Sequence, residues 1–350
     1  MYLAPAPGLP RLAALLLAAV AVLGTPPPVS AAPAQLPLDK RIGIGVIRAV
    51  FEAGATRTRR ALEKHEPSVE VTTVEALSYR DDDPVALLDL HFPAPAAEDG
   101  ARLPVVVWIH GGAWLSGSRQ DVLPYFRLMA AEGYAVVAPD YALAPSATFP
   151  HPLRQLGDLR AWLQRHADEY PIDPDRIFLA GDSAGAQIAA QLAAMGSNPA
   201  HARDVGLPGV FTPDAVRGVV LHCGLFDVPA LVRANPDRSH LMGWGTAITV
   251  LAYAGTSDPD SPVLERIAPI PHLTASFPAT WITGGNDDPL TPGHSVVLDG
   301  RLRELGVPVT ALFWPDDHQP KLPHLYPFNL DSDEGRKAFE SMMEFLDSRK

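Results

Sequence analysis

The chain predicts an α/β fold with one mostly parallel sheet covered by helices on both faces. Three observations carry this. Leu103 to Ile109 and Tyr134 to Ala138 are short, continuous apolar runs, the composition of strands buried on both faces. Amphipathic helical stretches alternate with such runs, as parallel crossovers require. Glycine-bearing turns close two of the runs, His110-Gly111-Gly112 after the first and Gly181-Asp182-Ser183-Ala184-Gly185 after Ile177 to Ala180.

Composition narrows the class. At 350 residues, 47% of them hydrophobic and 19% charged, the chain has material for a large core, which argues against disorder. The formal net charge is -12 with no basic run, so nucleic acid and anionic membranes are poor partners. Cys223 is the sole cysteine, which excludes an internal disulfide and a multi-cysteine zinc site. It lies in the apolar run Gly218 to Cys223, where a small buried side chain is the expected role.

Residues 1–32 have the pattern of a secretory signal. Arg11 precedes the apolar run Leu12 to Leu23, and Val29-Ser30-Ala31-Ala32 supplies small residues at a cleavage site. The run is shorter than the ~20 residues of a comfortable membrane span. The expectation is a secreted or periplasmic protein with no stable membrane span after cleavage. Residues 33–350 then form one domain.

Along that domain, Asp39 to Glu66 has helical periodicity, with Ile47, Val50 and Phe51 on one face and Arg57, Arg59 and Arg60 on a solvated one. Gly43-x-Gly45 lacks both a preceding strand and a third glycine, so no dinucleotide site is expected there. Val69 to Tyr79 and Val85 to Phe92 alternate, as an antiparallel pair at a sheet edge does. Helices are predicted at about 124–132, 150–170, 184–195, 294–305 and 334–348. Further strands are predicted at 216–222, 277–283 and 307–314. The stretch 226–276 exceeds a simple crossover; with 38–66 it is a candidate cap.

Gly181-Asp182-Ser183-Ala184-Gly185 fits the nucleophile elbow, a tight strand-to-helix turn that exposes a serine. A serine hydroxyl needs a base within reach and a third group to orient that base. In this arrangement the order is serine, acid, histidine. The acid is expected after the penultimate strand, where Asp288 stands before Pro289 and is held extended by it. Asp287 and Asp227 are the alternatives, each with a turn-capping role as the plainer reading. The base is expected after the last strand, which leaves His318 and His324. Backbone N–H groups of Gly111, Gly112 and Ala184 are the expected oxyanion donors, with His110 shaping the loop. Trp114 and Leu115 follow, either walling an acyl pocket or packing a lid.

His110-Gly111-Gly112-Ala113-Trp114, Asp140-Tyr141-Ala142-Leu143-Ala144-Pro145, Gly181-Asp182-Ser183-Ala184-Gly185 and Asp288-Pro289-Leu290 together resemble the α/β-hydrolase esterases of the hormone-sensitive-lipase-like group. The resemblance spans roughly residues 100 to 345. It implies a Ser183–His–Asp288 triad, hydrolysis of carboxylic esters, and neither cofactor nor metal. Two departures stand out. Ala142 and Ser146 occupy positions where the group commonly carries a charged pair, and the group's His-Gly-Phe is absent. The distance from His324 to the final helix fits the group better than that of His318, which favours His324 as the base. An amidase, formamidase or peptidase on the same residues is the second reading. A non-catalytic binding protein on a hydrolase scaffold is the third.

Overall fold

Val105, Val107 and Ile109 point into one apolar layer while Val106 and Trp108 point into another, so the central strand is buried on both sides. The computed structural model describes residues 36–98, 100–237 and 239–350. The segment read as a signal lies outside them. Among the described residues no helix is long and apolar enough to cross a membrane.

In chain order the elements are α1 (Leu38–Leu62), β1 (Val71–Ser78), β2 (Leu87–Pro93), α2 (Ala94–Glu98), β3 (Leu103–Ile109), α3 (Leu123–Ala131) and β4 (Ala135–Pro139). They continue with α4 (His151–Arg165), β5 (Ile172–Asp182), α5 (Ala184–Ser197), α6 (Pro199–Val205), β6 (Val216–His222) and α7 (Val228–Ala234). The rest are α8 (Leu241–Ala254), α9 (Pro262–Ile267), β7 (Thr280–Gly284), α10 (Val296–Glu304), β8 (Val309–Phe313) and α11 (Asp333–Asp347).

The sheet order is β1-β2-β4-β3-β5-β6-β7-β8. β1 pairs with β2 and β2 with β4 antiparallel, and every later pair is parallel, as the alternation in the sequence predicts. From β3 the chain adds β4 on one side and then β5 on the other, and the ends of β3 and β5 align at Ile109 and Gly181. Ligands of open α/β sheets bind beyond the strand ends at such a switch point.

Helices α4 and α5 cover one face, with Leu153, Leu156, Leu159 and Leu163 inward and the Ala-rich α5 buried through Met195. Tyr125, Phe126 and Met129 of α3 and Met342, Phe345 and Leu346 of α11 cover the other. Residues 226–276 form α7 to α9 rather than an irregular loop. Gly43 of α1 crosses α8 so closely that a Cβ there would lie 2.6 Å from Ile248 Cδ1. On α1 the apolar face differs from the predicted one. Ile44 is buried, but Val50 and Phe51 are 60% and 39% exposed because they stand over a cavity rather than the core.

Candidate active site

The elbow is built from close backbone contacts. Ser183 holds φ 52° and ψ -117°, a conformation costly for any side-chain-bearing residue. A Cβ on Gly181 would lie 2.6 Å from the Gly185 carbonyl carbon, and one on Gly185 would lie 2.0 Å from Ile109 O. Only glycine fits either place, and the turn is pressed against the end of β3. The Ser183 N–H donates to His222 O at 2.8 Å, which ties the turn to β6.

Three side chains from distant parts of the sequence meet above it. His324 Nε2 lies 3.0 Å from Ser183 Oγ, and His324 Nδ1 lies 2.7 Å from Asp288 Oδ2. The Asp288 side chain is buried, and Asp288 Oδ1 accepts the Leu290 N–H, so the carboxylate cannot swing. The histidine loop is pinned to the acid loop by the Asn286 side chain, which accepts the Leu322 N–H at 2.9 Å and donates to His318 O. With Nδ1 donating to Asp288, Nε2 keeps its lone pair for the serine hydroxyl proton.

His318 is elsewhere. Its ring packs on Trp314 with centroids 4.3 Å apart, and Nε2 bonds Glu334 Oε1 at 3.0 Å, at the start of α11. Neither alternative acid holds the base. Asp227 Oδ1 accepts the Ala230 N–H and caps α7, while Asp287 is exposed, with only its backbone N–H tied to Leu322 O in the turn; Asp288 is the acid bonded to His324.

The loop after β3 departs from the sequence reading at Gly111. Its N–H donates to Asp182 Oδ2 at 3.2 Å, so Gly111 is not a free donor. Asp182 is buried beneath the loop, and its Oδ1 accepts Trp108 Nε1–H at 3.0 Å. Burial pushes this carboxyl up to about 6. Among the described residues no hydrogen bond engages the N–H of Gly112 or Ala113. The N–H of Ala184, at the first position of α5, has no helical partner by geometry. Gly112 and Ala113, in the loop after β3, and Ala184, directly after Ser183, thus keep unengaged N–H groups at the aligned ends of β3 and β5. Trp114 is buried and stacked on Tyr253 of α8, so it packs against that helix.

A cavity of about 470 Å³ adjoins the site, with His324, Gly111 and Gly112 in its lining. Asp182 lines it as well, together with the apolar Val122, Leu143 and Phe328 and with Val50, Phe51, Gly54 and Arg57 of α1. Sequence reasoning missed Asp182, Ala113 and Arg48, whose guanidinium bonds the loop from α1. An arginine one turn after the buried Ile44 was the one available signal.

Cys223 Sγ lies with Asp288 and His324, the possible ligand atoms all within 4.8 Å of one another. Burial raises the thiol far above its ordinary range, and the Asp288–His324 bond already occupies the other two groups. The thiol is therefore a protonated neighbour of that bond.

The sequence profile described as alpha/beta hydrolase fold matches residues 106–319. The chain belongs to this family. The chain is 29% identical over 226 residues to esterase LipQ of Mycobacterium tuberculosis, a match covering 63% of this chain and 50% of LipQ. It is 28% identical over 257 residues to an esterase of Gibberella moniliformis, covering 72% and 76% respectively. The aligned region thus spans half the length of LipQ. Its fold is similar to the crystal structure of esterase B from Lactobacillus rhamnosis, with a TM-score of 0.74 and 23% identity over 89% of this chain and 96% of that one.

Proposed function

We propose that this hydrolase cleaves carboxylic esters through an acyl-enzyme on Ser183. The observation that carries the reading is His324 bonded on one side to Ser183 Oγ and on the other to the buried Asp288, below free N–H groups. The esterases among its relatives support the bond type, and esterase B was crystallised with a tributyrin phosphonate inhibitor.

In the reaction, His324 Nε2 takes the hydroxyl proton as Ser183 Oγ bonds to the ester carbonyl carbon. Asp288 keeps the imidazole oriented and stabilises its positive charge. The carbonyl oxygen becomes an oxyanion, which accepts from Gly112, Ala113 and Ala184, aided by the positive end of α5. His324 then returns the proton to the leaving alkoxide, and the alcohol departs. Water repeats the cycle on the acyl-enzyme, giving the acid and restoring the serine.

The apolar sides of the cavity suit an uncharged acyl or alcohol group. Helix α1, packed on α8 through Gly43, Trp244 and Ile248, acts as the cap over it. Export by an N-terminal signal is part of this proposal, supported by the apolar run and cleavage pattern in residues 1–32.

The test compares Ser183→Ala, His324→Ala and His318→Ala on p-nitrophenyl esters of increasing chain length, each paired with its anilide. The expected loss is at least ~10³-fold for the first two and less than about twofold for His318→Ala. Ser183→Ala at the native rate would sink the mechanism. Equal turnover of anilides would replace esterase with amidase.

A further inference from the structure

The loop that carries Gly112 and Ala113 is held in a conformation it would not adopt alone. Gly112, Ala113 and Trp114 have φ of 100°, 53° and 58°, three successive left-handed residues, two of them not glycine. Such a run persists only where its surroundings over-determine it. Several contacts do so. The N–H groups of Leu115 and Ser116 return to Gly112 O, the Ala144 N–H donates to Trp114 O at 2.9 Å, and Trp114 Nε1–H donates to Gln187 Oε1 at 3.0 Å.

A further contact comes from the N-terminal helix. Arg48, on α1, donates from Nε to Leu115 O at 2.7 Å and from Nη2 to Ala144 O at 2.6 Å. Leu115 directly follows the strained run, and Ala144 is the residue whose N–H holds Trp114. The guanidinium therefore closes a bridge between the loop after β3 and the loop after β4. Tyr141 to Ser146 contains no charged residue that could do this itself. The guanidinium is partly desolvated, and its rigid fork suits two fixed carbonyls where a lysine ammonium would reach one.

We infer that Arg48 is a positioning residue: it holds the oxyanion loop in its strained form and makes α1 part of the catalytic apparatus. The same helix supplies Val50, Phe51 and Gly54 to the cavity wall, two turns or less beyond Arg48. Seating of α1 thus sets both the substrate cavity and the N–H groups that meet the developing oxyanion. The inference rests on the assignment of Gly112, Ala113 and Ala184 as donors.

The test uses the full chain with Arg48→Ala and Arg48→Lys. For Arg48→Ala, kcat on p-nitrophenyl acetate should fall at least ~10-fold, a fraction of what loss of a whole oxyanion donor costs, with KM within about twofold. The labelling rate of Ser183 by a fluorophosphonate should fall by the same factor, and ethylguanidinium should restore both in the variant while leaving the parent unchanged. If kcat stays within about twofold, or the loss is not relieved by ethylguanidinium, the inference is overturned. Should Arg48→Ala fail to fold, Arg48→Lys carries the test, with kcat expected at least about threefold down; full activity overturns the inference. An active Ser183→Ala would remove the esterase reading itself. An inert Ser183→Ala beside a fully active Arg48 variant removes the role of Arg48 alone.

Discussion

Asp182 occupies a variable position of a familiar motif, and the sequence shows nothing of where its carboxylate points. The fold turns it beneath the glycine loop, where its two oxygens accept from Trp108 Nε1 and Gly111 N. Burial raises its pKa to about 6 in spite of the Trp108 hydrogen bond and the nearby His110, both of which lower it. An unfolded aspartate titrates near ~3.9. Between about pH 4 and 6 the folded chain therefore binds more protons at this group than the unfolded chain does. Its contribution to stability is greatest below about pH 4 and is lost as pH rises through about 6. Asp182→Asn does not titrate and isolates the effect. Urea unfolding of parent and variant from about pH 4 to 7 should show the parent-minus-variant stability falling with pH. A flat difference would contradict this account of Asp182.

At the scale of the element, helix α1 is legible as a helix but not as a wall. Hydrophobic periodicity locates it to within a few residues, yet cannot separate an apolar side chain facing the core from one facing a cavity. Val50 and Phe51 fall on the wrong side of that distinction. The two histidines after β8 pose the same problem: which one turns back to Ser183 depends on the path of the loop, held by Asn286 and Trp314, and not on local pattern. Glycines on α1 test its seating. At Gly45 an added Cβ would meet nothing within 4 Å, so Gly45→Ala should stabilise the protein by about 0.5–1 kcal/mol through helix propensity. At Gly43 the added methyl would meet Ile248 Cδ1 at 2.6 Å and Trp244 Cζ2 at 2.9 Å. Gly43→Ala should cost about 1–3 kcal/mol by overpacking. Thermal unfolding of both variants decides the matter, and a Gly43→Ala protein as stable as the parent would show that α1 is not closely seated on α8.

Across the whole molecule, the legible part of the site is the part delivered by strand ends. The glycine loop follows β3, Ser183 follows β5 and Asp288 follows β7, because a parallel sheet places every such end on one rim. The contact of Arg48 on α1 with Leu115 spans 67 residues, and no local pattern names its partner. The same architecture explains how the chain does without covalent bridges. Its apolar layers lie on both faces of eight strands, and Cys223 is sealed at the end of β6 with its thiol held protonated. An oxidising compartment therefore offers this fold nothing to lose or gain. Expressed with its own N-terminus in a host that exports proteins, the chain recovered outside the cell should begin at Pro33, by intact mass. Its urea midpoint should be the same with and without dithiothreitol. An exported protein that retains residues 1–32 would refute cleavage, and a midpoint lowered by reductant would mean that Cys223 pairs between chains and that its burial is not maintained.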